Sequence, residues 1–299
     1  MNVLMTGYLG FLGKQIAVNF KELNYNIISL GLEKESNINC DISKEIPPIN
    51  CNIDLVIHAA GKAHTIPKSD AEKQSFFDVN LHGTKNLCLA LEKTKTPKSI
   101  VFISTVAVYG LENGENIEEN HPLNGSSPYA LSKIQAEVYL KNWCSINKVI
   151  LGILRPSLIA GKNPPGNLGA MINGIKSEKY FRIGKGSARK SILMAEDIAR
   201  IIPRLSDIGG IYNICDNHNP SFAELEELIS KQLNKNAPRS IPFWAAKSIA
   251  LIGDLTGDLL PINSIKLDKL TKSLTFSNEK AKRDLGWEPL DVLENFIIQ

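Results

Sequence analysis

Tyr129 and Lys133 lie four residues apart, just after a polar loop. On a helix this spacing places both side chains on one face, where the ammonium group can act on the phenol. A free tyrosine has a pKa of about 10, so a phenol that exchanges protons near neutral pH needs its anion stabilised by roughly 4 kcal/mol. A neighbouring cation can supply that stabilisation. The pair therefore predicts proton-transfer chemistry, whereas the same spacing on a solvated helix face would have no chemical role.

Two hydroxyl side chains, Ser104 and Thr105, follow the apolar run 99–103. If this run is a strand of an open parallel sheet, its carboxyl end lies where ligands bind. A hydroxyl there can donate a hydrogen bond to a sugar or ketone oxygen. The alternative is that both residues only cap the end of the strand.

A glycine-rich turn follows the first apolar run, residues 2–5, and precedes a stretch with apolar residues at helical spacing. A strand, a glycine turn and a helix in this order are typical of dinucleotide binding. The glycines let a pyrophosphate approach backbone N–H groups at the N-terminus of the helix. The predicted cofactor contacts in this turn are Gly7, Leu9, Gly10, Phe11, Leu12 and Gly13.

The end of the second predicted strand, residues 27–30, bears on the choice of cofactor. NAD-binding domains usually place an acid there to bind the adenosine ribose. This chain has Gly31 instead, followed by Glu33 and Lys34. A 2′-phosphate would meet less repulsion at Gly31, although no arginine is present to bind it. The sequence leaves NAD or NADP open as the cofactor and slightly favours NADP.

Two further strand ends are predicted to contact the cofactor. After a third short strand, Asp41 precedes Ile42, and its carboxylate can accept a hydrogen bond from the adenine amino group or simply shape a turn. The apolar run 54–58 ends in small residues, which would let the backbone lie flat beside a bound cofactor. These small residues are Ala59, Ala60 and Gly61.

Two polar residues near these strand ends have open roles. His58 is predicted to be a structural histidine at the end of a strand. Asn80 falls inside a long helix predicted over residues 71–93. It is either a solvated residue or a buried amide that orders the site.

Strands alternate with helices from residue 1 to about residue 155, which predicts an α/β fold with a doubly wound parallel Rossmann sheet. The last strand of this series ends at Arg155 and Pro156. The predicted division is a dinucleotide-binding domain over residues 1–163 and a smaller, mostly helical substrate lobe over residues 164–299. A strand near residues 211–215 is expected to return to the first domain.

Composition narrows the class of protein. The 299 residues are 43% hydrophobic and 22% charged, and the net charge of +3 is not gathered in one stripe, so no nucleic-acid partner is expected. Five widely spaced cysteines without a nearby His cluster predict no metal site. No apolar run is long enough to span a bilayer and no signal peptide is evident, so we expect a cytoplasmic protein without a membrane partner.

Taken together, these motifs resemble the extended short-chain dehydrogenase/reductases, and within them the nucleotide-sugar epimerase/dehydratase family that includes UDP-glucose 4-epimerase. The similarity extends over nearly the whole chain. The motifs that carry it are Thr6-Gly7-x-x-Gly10-x-x-Gly13, His58-Ala59-Ala60-Gly61, Asn80, Ser104-Thr105, Tyr109-Gly110, Tyr129-x-x-x-Lys133, Arg155-Pro156 and Leu285-Gly286-Trp287.

The resemblance implies a mechanism and a set of roles. Tyr129 would exchange a proton with a sugar hydroxyl while the nicotinamide exchanges hydride with the same carbon. Lys133 would lower the pKa of Tyr129 and hold the nicotinamide ribose, and Thr105 would orient the sugar oxygen. Further cofactor contacts and the two residues expected at the substrate diphosphate follow from the same resemblance. They are Asn80, Ser104, Arg155 and Pro156 for the cofactor, and Asn167 and Arg189 for the substrate.

The family includes several reactions. A 4,6-dehydratase would carry an Asp-Glu pair directly after Thr105, but Val106 and Ala107 stand there, so dehydration is disfavoured. A 4-epimerase of a UDP-linked hexose and an NADPH-dependent 4-ketoreductase of a deoxy or amino sugar for surface polysaccharides both fit. A non-catalytic dinucleotide-binding module is the remote alternative. The resemblance also implies a homodimer.

Overall fold

Strands and helices alternate along the first 156 residues of the computed structural model, which describes residues 1–256 and 263–298. Residues 257–262 and 299 of the predicted second lobe lie outside the described part. The strands are β1 (Asn2–Thr6), β2 (Asn26–Gly31), β3 (Ile38–Asn39), β4 (Leu55–His58), β5 (Ser99–Ile103), β6 (Gly114–Ile117), β7 (Ile150–Pro156), β8 (Leu158–Ala160), β9 (Arg182–Ile183), β10 (Ile192–Met194), β11 (Gly210–Ile214), β12 (Ser240–Ile241) and β13 (Leu274–Phe276). The helices are α1 (Phe11–Glu22), α2 (Asp70–Phe77), α3 (Gly83–Glu92), α4 (Pro128–Asn147), α5 (Gly166–Lys176), α6 (Ala195–Ile208), α7 (Phe222–Gln232), α8 (Phe243–Thr256), α9 (Ser264–Thr271), α10 (Glu279–Leu285) and α11 (Val292–Asn295).

Seven strands form one parallel sheet in the order β11-β7-β5-β4-β1-β2-β3. The first strand sits in the interior, with Leu4 opposite Ile28 on one side and opposite Val56 on the other. The order reverses between β1 and β4, and a parallel sheet with such a reversal binds ligands outside the carboxyl ends of its strands. The predicted doubly wound Rossmann sheet is confirmed.

Both faces of the sheet are covered by helices. Helices α1 and α6 pack on one face, where Phe20 and Ile202 are fully buried. Helices α3 and α4 cover the other face, where Leu91 and Leu140 are buried. Each such side chain contributes roughly 1.5–3 kcal/mol when it leaves water, so the two layers hold the strand ends in a fixed arrangement.

The second lobe is smaller and mostly helical. Its core lies between α5, α7 and α11, where Leu168, Ile229 and Phe296 are buried together. The strand expected near residues 211–215 is β11, and it pairs with β7, with Ile211 opposite Ile153. Since α6 also packs on the large sheet, the chain returns to the first layer after it has begun the second lobe.

The structure differs from the predicted helix over residues 71–93. Helices α2 and α3 are separated by a π-helical turn, Asp78–His82, in which Asn80 and Leu81 are buried. Such turns add one residue to a helical turn and occur often at functional sites. The apolar spacing on either side of the turn is helical, so the sequence pattern gives no sign of the extra residue.

Candidate active site

The catalytic pair predicted from the sequence lies in the first two turns of α4. Ser127 caps this helix, because its Oγ accepts a hydrogen bond from the Ala130 N–H at 3.1 Å, and Pro128 occupies the first helical position. Tyr129 therefore occupies the second helical position and Lys133 follows about one turn later. The cap fixes the start of the helix beside the carboxyl end of β5.

The Tyr129 hydroxyl lies close enough to the side chain of Thr105, the residue that follows Ser104 at the end of β5, for the two to interact. Thr105 accepts a hydrogen bond from the Ala107 N–H at 3.1 Å, which fixes its rotamer. Burial raises the pKa of Tyr129 above its ordinary value, and the interaction with Thr105 opposes this rise. The structure thus brings together the two residues expected to hold one substrate oxygen.

Lys133 is 4% exposed, and its ammonium group donates a hydrogen bond to the Ile103 carbonyl at 2.9 Å. The group also lies 4.6 Å from the centre of the Phe102 ring. Burial lowers the pKa of Lys133 to about 8, and the charge of Glu137 opposes this shift. In this structure burial dominates the pKa of Tyr129, and a lowering of that pKa by Lys133 stays a prediction.

A buried ion pair lies one helical turn beyond Lys133. Glu137 is fully buried, and its two oxygens accept hydrogen bonds from Arg155 Nε at 3.0 Å and Nη2 at 2.6 Å. Arg155 Nη1 donates to the Tyr109 hydroxyl at 2.9 Å, and the Ser104 hydroxyl donates to Glu137 at 2.6 Å. The pair therefore joins α4 to the ends of β5 and β7.

This ion pair engages two of the residues predicted to contact the cofactor. The side chains of Ser104 and Arg155 are both bonded to Glu137, and the predicted cofactor contacts of these two residues and of the buried Pro156 stay predictions. Sequence reasoning did not identify Glu137. The sequence feature that could have identified Glu137 is the four-residue spacing of Tyr129, Lys133 and Glu137, which places three polar side chains on one face of α4.

The small residues after β4 are required by close contacts. A Cβ atom on Gly61 would lie 3.1 Å from both Asn80 Oδ1 and Lys133 Nζ. Asn80 is buried in the π-helical turn, where it accepts a hydrogen bond from the Lys62 N–H at 2.8 Å and donates one to the Ser132 hydroxyl at 2.9 Å. The amide therefore orders the site, and one of the two predicted alternatives for Asn80 is confirmed.

The glycine turn packs directly on the end of β4. Gly7 has φ +69°, and a Cβ atom there would lie 2.7 Å from the Ala60 nitrogen. A Cβ atom on Gly13 would lie 2.0 Å from the Gly7 carbonyl oxygen, so α1 can approach the turn only without a side chain. Because Gly10 is the N-cap, no side chain caps the first-turn N–H groups of α1. This arrangement suits a pyrophosphate.

His58 lies under this turn and links three elements. Its Nδ1 atom is 2.7 Å from the Thr6 hydroxyl, and its Nε2 atom is 2.8 Å from the Thr84 hydroxyl. Thr6 also accepts a hydrogen bond from the Ala60 N–H at 3.1 Å, and Thr84 donates one to the Asn80 carbonyl at 2.6 Å. Burial lowers the pKa of His58 to about 3, so the ring is neutral. The predicted structural role is confirmed.

Asp41 shapes a turn in this structure. Its carboxylate accepts hydrogen bonds from the Ser43 N–H at 3.1 Å and from the Ser43 hydroxyl at 2.6 Å, and these bonds lower its pKa. The Ile42 carbonyl accepts a hydrogen bond from the Asn86 side chain at 2.8 Å. Contacts of Asp41 and Ile42 with adenine stay predictions.

The two residues expected at the substrate lie in the second lobe. Asn167 is exposed in the first turn of α5. Arg189 is half exposed, with Nη1 donating to the Asn219 carbonyl at 2.7 Å and lying 3.5 Å from Glu224. Arg189 is thus already paired with protein groups, and binding of a diphosphate by either residue stays a prediction.

Within residues 1–256 and 263–298, no group of three or more His, Cys, Asp or Glu side chains is placed to hold a metal ion. In the same part of the chain, no helix combines the length and the apolar character needed to cross a bilayer.

The buried ion pair generates a stability prediction. Glu137→Gln leaves the Arg155 guanidinium buried without an opposite charge, so we expect the free energy of unfolding to fall by about 3–5 kcal/mol. Urea denaturation followed by circular dichroism measures this change. Asp207→Asn, which breaks the exposed pair with Lys98, should cost at most about 1 kcal/mol. Equal losses in the two variants would contradict the structural importance of Glu137.

The chain is similar in sequence to proteins of one family. The model of the NAD dependent epimerase/dehydratase family matches residues 3–215. The N-acetyl-alpha-D-glucosaminyl-diphospho-ditrans,octacis-undecaprenol 4-epimerase of Escherichia coli O157:H7 is 28% identical, over 93% of this chain and 88% of that protein. The UDP-glucose 4-epimerase of Vibrio cholerae is 25% identical, over 98% of this chain and 92% of that protein.

Solved structures share the fold. The UDP-glucose 4-epimerase of Thermotoga maritima, determined with UDP-glucose, aligns with a TM-score of 0.76 at 20% identity and covers 99% of this chain and 96% of that one. The UDP-glucose 4-epimerase of Thermus thermophilus, determined with NAD, aligns with a TM-score of 0.74 at 20% identity over the same shares. The family match includes the glycine turn, Thr105, Tyr129 and Lys133. The chain therefore belongs to the NAD-dependent epimerase/dehydratase family and is an enzyme of the extended short-chain dehydrogenase/reductase type.

Proposed function

We propose that the protein is an NAD-dependent 4-epimerase of a hexose that carries a diphosphate at its anomeric carbon. The observation that carries this proposal is the placement of the Tyr129 hydroxyl beside the Thr105 side chain, with Lys133 buried one turn away. Such a pair can bind one hydroxyl of a sugar and exchange its proton.

The residues around the pair fit a nicotinamide dinucleotide. Close contacts with backbone exclude a side chain at Gly7 and Gly13 and crowd one at Gly61, which keeps the path from the uncapped N-terminus of α1 to Lys133 narrow but free of large side chains at these positions. The uncapped N–H groups would hold the pyrophosphate. The ammonium of Lys133 would hold the ribose beside the nicotinamide.

Side chains of the protein can transfer the proton of the C4 hydroxyl. When bound, the nicotinamide supplies a reversible acceptor for the hydride of the sugar carbon. Tyr129 accepts the proton of the C4 hydroxyl in the oxidation and returns it in the reduction, while Thr105 holds the oxygen in place. Burial alone favours the neutral phenol, because it raises the pKa of Tyr129. Only the phenolate can accept the C4 proton, so the oxidation requires Tyr129 to be deprotonated beforehand, and the charge of Lys133 is the candidate for stabilising that anion.

The end of β2 supports NAD as the cofactor. A Cβ atom on Gly31 would lie 2.7 Å from Glu33 Oε2, so the Glu33 carboxylate is folded back against the strand end where an acid was missing from the sequence. Asn39 Nδ2 donates hydrogen bonds to the carbonyls of Leu32 and Glu33 at 2.8 and 3.0 Å, which hold this loop. A carboxylate there accepts hydrogen bonds from ribose hydroxyls and repels a 2′-phosphate. This observation favours NAD over the NADP that Gly31 alone suggested.

Epimerisation is favoured over the other reactions of the family. The residues after Thr105 form a short 3₁₀ turn, Val106–Tyr109, without an acid that could expel water. A ketoreductase releases its oxidised cofactor in each turnover. The sequence argument for a ketoreductase was that the end of β2 lacks the acid that would hold NAD tightly. With Glu33 at that place, a retained NAD is the simpler expectation.

The named substrates of the relatives share one chemical feature. One relative is named for a sugar diphosphate of undecaprenol and the other for UDP-glucose, so each name joins a hexose to a carrier through a diphosphate. Asn167 and Arg189 in the second lobe are the proposed contacts of that diphosphate. We propose a diphosphate-linked hexose as the substrate, with UDP-hexoses as the first compounds to assay.

The first test is turnover without added cofactor. Purified protein should contain a dinucleotide that is released on denaturation, and it should convert a UDP-hexose or a polyprenyl-diphosphate-linked hexose to the 4-epimer. Consumption of NADPH only with a 4-keto sugar would instead identify a reductase. Failure to act on any of these compounds would overturn the proposal.

Tyr129→Phe should lower turnover at least roughly a hundredfold, because the proton-transfer group is lost. Dinucleotide content should stay unchanged, since Lys133 and the glycine turn are intact. Tyr139→Phe, on the same helix but packed beside Lys85, is the matched control and should retain full turnover. Normal turnover by Tyr129→Phe would remove the phenol from the mechanism.

Gly61→Ala tests the position of Lys133. The added methyl group would crowd Lys133 and Asn80, and a displacement of this kind should lower turnover roughly ten- to a hundredfold. Gly174→Ala is similarly crowded, with its Cβ 3.2 Å from Tyr180 Cβ, but lies in α5. A comparison of turnover and thermal unfolding should show a loss of activity only for Gly61→Ala. Equal turnover in the two variants would contradict the assigned contact.

Glu33→Gln should weaken NAD binding roughly tenfold and improve NADP binding, because one charge-assisted hydrogen bond and one repulsion are removed. Dinucleotide affinities of protein stripped of its cofactor, measured by calorimetry, report both changes. Glu35→Gln removes the same charge from the same loop without the contact to Gly31 and should alter neither affinity. Unchanged NAD binding by Glu33→Gln would refute the role of this carboxylate.

A further inference from the structure

Helix α8 has small residues inside and large apolar residues outside. Ala246 and Ala250 form its buried stripe and pack against Leu267 of α9. Trp244 is 72% exposed and Leu251 is 54% exposed on the opposite side of the helix. An amphipathic helix of a globular core normally has the reverse arrangement. The outer face of α8 is therefore built for contact with something other than water.

The exposed tryptophan is unlike the other two. Trp143 is 5% exposed and Trp287 is 4% exposed, and both indole N–H groups donate hydrogen bonds inside the protein. Trp244 is accompanied on α8 by exposed Phe243, one position earlier. Tryptophan prefers the boundary between water and the lipid headgroups, because its ring is apolar and its indole N–H is polar, and Phe243 adds apolar surface beside it.

The segment around α8 has a net positive charge. Residues 235–272 contain six Lys and Arg residues and three Asp residues, whereas the rest of the chain contains 28 basic and 28 acidic residues. Lys247 and Asp254 are both exposed on α8 itself, so the positive excess lies in the residues that flank the helix. The whole net charge of +3 is thus carried by the segment that holds the exposed apolar face.

The exposed apolar face of α8 and the positive charge of its segment favour an anionic bilayer surface as the partner. A second copy of the chain would bring two positive segments together, since a two-fold contact places the same patch on both sides. An anionic bilayer surface is complementary both to the lysines and to the apolar ridge of Trp244 and Leu251. A helix of 14 residues is about 21 Å long, which is too short to span a bilayer but sufficient to lie on it.

We propose that α8 docks the enzyme on an anionic membrane surface, and that its substrate there is a hexose on a polyprenyl diphosphate. The substrate part rests on the proposed function, which supplies the diphosphate-linked hexose, whereas the docking rests on α8 alone. The proposal departs from the expectation of no membrane partner, which considered only segments that span a bilayer.

Vesicle binding tests the docking directly. The full-length enzyme should sediment with phosphatidylglycerol vesicles and much less with phosphatidylcholine vesicles, and added salt should weaken binding. Trp244 should report the contact by a shift of its emission to shorter wavelength, because the other two tryptophans are already buried. The shift should disappear in Trp244→Phe.

Trp244→Ser and Leu251→Ser should each weaken partitioning into phosphatidylglycerol vesicles roughly tenfold. Both side chains are exposed, so the thermal unfolding of these variants should match that of the unchanged protein. Val18→Ser, at an exposed aliphatic residue of α1, is the matched control and should bind vesicles normally. Absence of binding to phosphatidylglycerol, or equal binding by all variants, would overturn the docking. So would a dimer that α8 variants disrupt while vesicles leave the protein unbound.

Turnover separates the two proposals. The α8 variants should act normally on a water-soluble UDP-hexose or short-chain diphosphate analogue, and poorly on a polyprenyl-diphosphate hexose embedded in vesicles. If the unchanged enzyme binds vesicles but turns over no diphosphate-linked hexose, the proposed function fails and the docking stands. If it turns over embedded and soluble substrates alike without binding vesicles, the docking fails and the proposed function stands.

Discussion

The buried ion pair between Glu137 and Arg155 is the interaction on which the geometry of the site most depends. Glu137 lies on α4, the helix that carries Tyr129 and Lys133, and Arg155 lies at the end of β7. The pair fixes the rotation of this helix against the sheet, because a two-point contact tolerates little sliding. The contribution of a buried pair to stability is small compared with the penalty for breaking it. Its main effect here is to hold one arrangement of the helix.

The site is completed by elements that are distant in sequence. Thr105 comes from the end of β5, Gly61 from the end of β4, and Asn80 from a π-helical turn. Packing on both faces of the sheet brings these ends to one edge, and hydrogen bonds then set distances of about 3 Å between individual groups. A nicotinamide and a sugar carbon need such precision, since small displacements lower the rate of transfer steeply.

Local motifs were predictable from the sequence, and long-range partners were not. The glycine turn is determined by residues within one short segment, so its place after β1 followed from spacing alone. Glu137, the partner of Arg155, lies 18 residues away in sequence. The contact between the Glu33 carboxylate and Gly31 depends on the conformation of the loop after β2. Likewise, helical spacing predicted helices near the C-terminus, but it could not reveal that α8 turns Trp244 outward.

His58 has a further consequence for the site. The Thr84 hydroxyl donates its hydrogen bond to the Asn80 carbonyl, so its oxygen must accept a hydrogen bond from Nε2–H of the neutral His58 ring. Nδ1 then carries the lone pair and accepts from Thr6, which in turn accepts from the Ala60 N–H. Every hydrogen bond from Ala60 to Asn80 consequently points the same way. These hydrogen bonds thus fix a single tautomer of His58. They connect the backbone of Ala60, after β4, to the backbone of Asn80, in the π-helical turn, and hold both in one orientation.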